Sequence, residues 1–261
     1  MADPNGTSAP TQSDEERQKW DLAAREMRTR DDDAEIYEDF FTPFQTAVEL
    51  KAYADALGTG RGHRALEVAC GTGRTLGLLD ASTVVGIDLS LKELKIAQER
   101  FPDATMIQAS ATDLPFRPGV FDKVLCAGLL LHMPTEEVRL AVLGEMERVS
   151  ERPARIAIAT HAYSWAISRM FARDREEHRL FWHRTSAREL ESLVKRAFTP
   201  CNYTTRALCL LPRWQVGNRL GGFGVWLDGV LQQVPLLKHF FGAIVLAEVD
   251  CVPKRRAGDQ A

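Results

Sequence analysis

The chain has 261 residues, 45% of them hydrophobic and 26% charged, and 33 Lys and Arg set against 36 Asp and Glu give a formal net charge of -3. That length holds one ordinary α/β domain with attached covering elements, and a charge so near neutral, with no basic stripe, argues against nucleic acid as the main partner. The cysteines, Cys70, Cys126, Cys201, Cys209 and Cys251, form no C-x-x-C pair and no even disulfide framework, which points to a reducing cytoplasm.

Residues 1–14 are rich in Pro, Ser, Thr, Asn and Gly and lack the basic start and apolar core of a signal peptide, so they read as a disordered tail. Residues 15–57 carry helical periodicity, with Leu22, Met27, Tyr37, Phe40, Phe41, Phe44, Val48, Tyr53 and Leu57 on apolar and aromatic faces. Pro43 is expected to break the run. The segment reads as an N-terminal helical cap. Tyr37 and Phe41 are candidates for an aromatic lid over a bound ligand, although ordinary packing of an amphipathic helix explains them as well.

From Leu66 the pattern changes. Leu66-Glu67-Val68-Ala69-Cys70-Gly71-Thr72-Gly73-Arg74 is an apolar strand that ends at Val68 on a glycine-rich turn, with a short helix expected from about Arg74. Val84-Val85-Gly86-Ile87-Asp88 is a second apolar strand, and it terminates on an acid about 20 residues after Glu67, where a ribose would be read. Gly71 and Gly73 let the backbone pass close to a ligand, because no Cβ intervenes and positive φ is open to them. A dinucleotide G-x-G-x-x-G would need glycine where Leu76 stands, which weakens an oxidoreductase reading. Cys70 reads as a small apolar filler of the loop rather than a nucleophile.

Glu67, Ala69, Gly71 and Gly73 occupy the positions of an acid-x-Gly-x-Gly-x-Gly motif, and Leu114-Pro115-Phe116 matches an L-P-F turn. Phe121-Asp122-Lys123-Val124 matches an F-D-x-V strand, and Leu131-His132-Met133 an L-H-H or L-H-M segment. Through these ordered motifs, roughly residues 60–160 resemble the class I S-adenosylmethionine-dependent methyltransferases, in particular UbiE-like small-molecule enzymes. The resemblance implies S-adenosyl-L-methionine as cofactor and a binding set of Glu67, Ala69, Cys70, Gly71, Gly73, Asp88, Leu89, Ser110, Ala111 and Cys126. Within it, Glu67 would orient the methionine amino group and Asp88 would accept hydrogen bonds from both ribose hydroxyls. Alanine replaces the motif's first glycine at Ala69, read here as a slightly tighter turn. Ser110 stands where the family commonly has the Asp that reads the adenine amino group, with the backbone N–H of Ala111 on a ring nitrogen. A neutral hydroxyl leaves that recognition weaker, or shifted to Asp113.

Ser90 and Glu93 form a capping box that opens a helix with Leu94 and Ala97 on its apolar face. Strands follow at 104–109 and 121–126, a helix at 135–149 and a fifth strand at 155–160. This alternation implies a parallel sheet with right-handed crossovers. Residues 162–180 read as a helical insertion with Trp165, Ile167, Met170 and Phe171 at helical spacing, and Ser186 with Glu189 caps a helix to about Phe198. Residues 203–211 read as a sixth strand, 214–239 as a second helical insertion, 242–251 as the last strand and 253–261 as a frayed tail. The expected fold is α/β: a doubly wound, seven-stranded, mostly parallel, Rossmann-like sheet in one domain over residues 58–252, with its last strand antiparallel by the resemblance. Residues 220–249 are apolar, but Asp228, Gln232, Gln233, Pro235, Lys238, His239 and Glu248 interrupt them, so they do not read as a membrane span. An interfacial helix, or one that encloses substrate, stays open.

Methyl transfer from a sulfonium is an in-line displacement, which needs donor and acceptor held near contact with water kept out. An acceptor hydroxyl also gains from a base that takes its proton. His132, after the fourth strand, and His161, at the end of the fifth, are the candidate bases, with Tyr163 a further residue at the substrate lid. For His132 a structural bond to a loop carbonyl is the competing role. His178 and His183 do not stack on one helix face and no acidic array accompanies them, so no metal is expected. The expected function is methyl transfer to a small, largely apolar acceptor, most simply at a hydroxyl oxygen, as in lipid, quinone or secondary-metabolite tailoring. Carbon methylation of a quinol or polyketide ring, and a non-catalytic protein that keeps the fold, are the alternatives. Peripheral membrane contact and the oligomeric state are left open.

Overall fold

Seven strands, β1 (Gly62–Val68), β2 (Ala81–Asp88), β3 (Thr105–Gln108), β4 (Phe121–Ala127), β5 (Ser150–His161), β6 (Asn202–Leu208) and β7 (Ile244–Cys251), pair into one sheet in the order β3-β2-β1-β4-β5-β7-β6. The computed structural model describes residues 42–58, 62–162, 183–198, 201–210, 218–234 and 243–251. The expected tails, most of the 15–57 cap with Tyr37 and Phe41, and nearly all of the 162–180 insertion with Tyr163 lie outside those residues. All pairs from β3 across to β5 are parallel, and β7 runs antiparallel between β5 and β6, as the resemblance implied. The chain winds outward from β1 to β3 and then returns to β4 beside β1. That reversal opens a crevice at the carboxyl ends of β1 and β4, where open α/β sheets take their ligands.

Alternation along the strands sends two sets of side chains to opposite faces. Leu66, Val68, Val124, Cys126, Ile156 and Ile158 pack under α3 (Glu136–Val149) and α4 (Ala187–Ala197), through Val142, Leu143 and Met146 of the first helix and Leu190, Leu193 and Val194 of the second. Ala65, Leu125, Ala157, Ala159 and Leu246 face α1 (Pro43–Leu57) and α2 (Leu91–Arg100). Three of those five positions are alanine, and the space they leave is filled by Phe44, Val48 and Tyr53 of α1. So the described end of the expected 15–57 cap, residues 43–57, forms a layer on the sheet as α1. It lies antiparallel to the strands. Glu49 reaches Arg74, just past the carboxyl end of β1, while the Gly58 carbonyl accepts from Lys123 Nζ (3.4 Å) near the start of β4.

Several local expectations change for physical reasons. At Pro43, where the helical run was expected to break, a helix starts: the extended Thr42 caps it, its Oγ1 accepting from the Gln45 amide (3.2 Å), and proline in the first turn lacks only an N–H that has no helical partner. The helix expected from Arg74 is a single 3₁₀ turn, Leu76–Leu78, because β2 already begins at Ala81. β5 starts at Ser150, through the turn expected before 155, and its ladder with β4 skips from Ser150 to Arg155. Pro153, with no N–H to donate, sits in that irregularity. The second insertion forms α5 (Asn218–Leu231), whose backbone departs from helix at Gly221 (φ 51).

Two matched motifs prove to be braces for the sheet. Asp122 of the F-D-x-V strand accepts the His63 and Arg64 amides at 2.7 and 2.9 Å, fixing the start of β4 to β1. The Leu114-Pro115-Phe116 turn is held from α3: Glu145 accepts the Leu114 amide (2.7 Å), and Arg148 donates to the carbonyls of Leu114 (2.9 Å) and Phe116 (2.7 Å). None of the five cysteines is in a disulfide, and among the described residues no helix is long and apolar enough to cross a membrane.

Candidate functional site

Ala69, Ile87, Asp88, Leu89, Ser90, Ala109, Ser110, Ala111, Thr112, Leu129, His132 and Met133 line one cavity at the carboxyl ends of β1, β2 and β4 and just past β3. The loop after β1 forms its base because its backbone is left-handed at Ala69 (φ 59), Gly71 (φ 54) and Gly73 (φ 85). Ala69 therefore does more than tighten a turn: it holds a conformation that disfavours any Cβ. Gly73 serves packing. A Cβ there would lie 3.1 Å from Leu76 Cδ1 and 3.2 Å from both Ala97 Cβ and Phe101 Cδ2, so glycine lets the loop rest against α2.

Asp88 ends β2 with its carboxylate turned back to the loop. One oxygen accepts the Gly71 amide (3.0 Å) and the other the Ser90 amide (2.9 Å), which fixes the group while leaving each oxygen a further lone pair. Glu67 lies buried beneath. Its Oε1 accepts a hydrogen bond from the Thr75 hydroxyl, and its Oε2 is buried with no hydrogen-bond partner among the described residues. Burial pushes the Glu67 carboxyl up to about 8; the Thr75 hydrogen bond and the Arg74 charge pull it down, and the Asp88 charge adds to the rise. Burial, with Glu67, Asp88 and Glu93 nearby, also raises the Cys70 thiol, and Cys126 is pushed up to about 12, chiefly by burial. Both stay protonated, as fillers: Cys70 Sγ would stand 2.8 Å from a Cβ placed on Gly86.

The adenine-side expectation is partly redirected. Ser110 Oγ pairs with Thr112 Oγ1 (2.8 Å), so its hydroxyl is engaged in its own turn, and Thr112 rather than the exposed Asp113 lines the cavity. His132 is the last residue of a 3₁₀ turn, Leu130–His132, that follows β4; its side chain is buried and lines the same cavity as Asp88. His161 ends β5, its carbonyl accepting the Thr185 amide (3.0 Å), and it is not among the lining residues. Among the described residues no group of His, Cys, Asp or Glu could hold a metal ion.

Three residues of the site went unread in the sequence: Glu49, Arg74 and Thr75. Arg74 pairs with the buried Glu49 (2.6 Å), which also accepts from Gln45 Nε2 (2.6 Å), so α1 grips the loop from outside. The available signal was an acid within the buried stripe of an amphipathic helix, next to Val48. These features fit S-adenosylmethionine. A buried carboxylate oxygen lacking a partner suits its ammonium group, an anchored acid at the end of β2 suits its ribose, and an apolar wall with backbone amides suits its adenine.

Residues 65–152 match the methyltransferase domain family. A demethylmenaquinone methyltransferase of Renibacterium salmoninarum is 34% identical over 131 residues, 49% of this chain and 54% of that protein. A tRNA (carboxymethyluridine(34)-5-O)-methyltransferase, alkbh8, of Xenopus tropicalis is 29% identical over 118 residues, 45% of this chain and 18% of that protein. The chain thus spans about half, or less, of the length of these curated relatives. Among solved structures, a SAM-dependent methyltransferase from Thermotoga maritima superposes with a TM-score of 0.61 at 19% identity, over 86% of this chain and 98% of that one, a likeness of fold.

Proposed function

We propose that this chain, by family and fold a class I S-adenosylmethionine-dependent methyltransferase, transfers a methyl group to a small, largely apolar acceptor at a hydroxyl oxygen. The observation that carries the reading is the convergence of Asp88 and His132 on one cavity. S-adenosylmethionine, when bound, supplies an electrophilic methyl group on a positively charged sulfur. Asp88 accepts from the ribose hydroxyls through the lone pairs its backbone bonds leave over. Glu67 offers Oε2 to the ammonium group, Ala69 and Gly71 bring the backbone close, and Ser110, Ala111 and Thr112 border the adenine. Leu89, Leu129 and Met133 keep water away. His132 takes the acceptor's hydroxyl proton as the bond to oxygen forms. His161, with Tyr37, Phe41 and Tyr163, belongs to the acceptor side in this reading.

The demethylmenaquinone methyltransferases among the relatives support a lipophilic acceptor; the tRNA methyltransferases mark the competing class. The free cysteines support a reducing, cytoplasmic setting. The test is calorimetric titration with S-adenosylhomocysteine, with NAD as control, followed by mass spectrometry of reactions offered hydroxylated lipophilic acceptors or tRNA. Binding of S-adenosylhomocysteine alone and methylation of the lipophilic set is the expected outcome. A folded protein that ignores S-adenosylhomocysteine overturns the donor assignment, and methylation of tRNA alone overturns the acceptor class. A methyl group found on ring carbon replaces oxygen with carbon as the acceptor atom.

A further inference from the structure

Phe223, Trp226, Val230 and Val234 are exposed by 58%, 61%, 46% and 45%, and they follow one another at the spacing of a single helical stripe along α5 and its end. Phe223 and Trp226 stack on each other in the open, ring centroids 5.4 Å apart. Among the described residues, the only other large hydrophobic side chain so exposed is Leu91. Solvent-facing apolar groups collected on one helix mark a contact surface.

The helix is held from its opposite side. Asp228 is fully buried; it accepts the Cys209 amide (3.1 Å) just past β6 and Gln232 Nε2 (2.8 Å), and Val225 packs on the core beneath α1. None of its residues lines the donor cavity, so α5 does not enclose substrate there, and the stripe points outward.

The charge around the stripe selects its occupant. Between residues 207 and 247 the only acid is Asp228, and it is sealed inside. Arg219 is exposed in the first turn of α5, before the break at Gly221, and Arg213 and Lys238 flank the helix in the sequence. An apolar aromatic face whose own helix carries an exposed arginine and no exposed acid matches an anionic bilayer surface, into whose interface Phe and Trp side chains partition. A second copy of the chain would instead bring two such helices together, with no exposed acid on either to answer Arg219.

We propose that α5 docks the protein on anionic lipid membranes, with Phe223 and Trp226 inserted at the headgroup boundary and Arg219 on the lipid phosphates. The docking is independent of which acceptor is methylated. The full chain is floated with vesicles of phosphatidylcholine alone or mixed with phosphatidylglycerol. Wild type rises with the mixed vesicles and much less with phosphatidylcholine. Phe223→Ser/Trp226→Ser loses the flotation, and Arg219→Glu lowers partitioning by about fivefold or more on the mixed vesicles only. Thermal melts and S-adenosylhomocysteine titrations of the variants match wild type, which separates this outcome from a failure of the donor site. Wild type that stays at the bottom, or a double variant that floats equally well, overturns the proposal. So does sedimentation that finds a dimer in wild type and a monomer in the double variant, which makes the stripe a self-association face.

Discussion

Ala69 carries a local cost that its neighbours impose. With φ at 59, its Cβ meets the steric penalty that glycine escapes, roughly 1–2 kcal/mol, part of which glycine returns through its looser unfolded chain. Ala69→Gly should raise stability by roughly 0.5–1 kcal/mol in denaturant unfolding. Glu67 ties stability to pH. Its folded carboxyl is raised to about 8 from 4.5, so the native state holds the proton more tightly than the unfolded chain. Its contribution is therefore full below 4.5, declines as pH rises and is gone above about 8. Glu67→Gln should flatten the fall in melting temperature across that window. An ammonium beside Glu67 favours the carboxylate, so donor binding below about pH 8 should release a proton, seen as a calorimetric enthalpy that changes with the buffer's own ionisation enthalpy. His132→Ala should lower turnover about 10²–10⁴-fold while S-adenosylhomocysteine affinity stays within about twofold; equal losses in both would mark His132 as structural. Asp88 was legible because a strand that ends on an acid beside a glycine loop has few other uses. The hydroxyl of Ser110 was not, since its bond to Thr112 depends on the shape of a turn.

At the scale of elements, α1 and the loop after β1 form one unit. The Glu49–Arg74 pair crosses between them, with Glu49 buried and Arg74 mostly so. Glu49→Ala breaks that buried pair and should cost about 3 kcal/mol, read by chemical denaturation, with a loss of donor affinity as the loop loosens. Arg74→Ala on the Glu49→Ala background should cost little more, which a double-mutant cycle checks. Pattern alone located α2, α3 and α4 because each opens on Ser or Thr with an apolar stripe behind it, and the caps appear at Ser90, Thr135 and Ser186. It failed at Arg74, where helix propensity was outweighed by a span too short for more than one turn; at Pro43 the expected boundary is the start of α1, since proline suits a first helical turn.

Across the whole molecule, strand-helix alternation carried the parallel part of the sheet, since strands buried on both faces read as short apolar runs between periodic helices. The antiparallel entry of β7 was carried by resemblance, because its apolar run looks the same in either direction. The donor half of the cavity was legible for a related reason: its residues lie close together along the chain, on strand ends and the loops that follow them. The residues proposed for the acceptor side, Tyr37, Phe41, His161 and Tyr163, stand far apart in sequence, and no local pattern joins them. The position of β7 also bears on synthesis. It is the last of the seven described strands to be made, yet among the described residues β6 has no other neighbour in the sheet and β5 has no other partner on that side. While residues 244–251 are still inside the ribosome, β5 shows its surroundings an open apolar edge and β6 has nothing to pair with. A nascent chain arrested before Ile244 should therefore be held by chaperones, and closure of the sheet should be the last folding event, awaiting a strand that arrives after all six others.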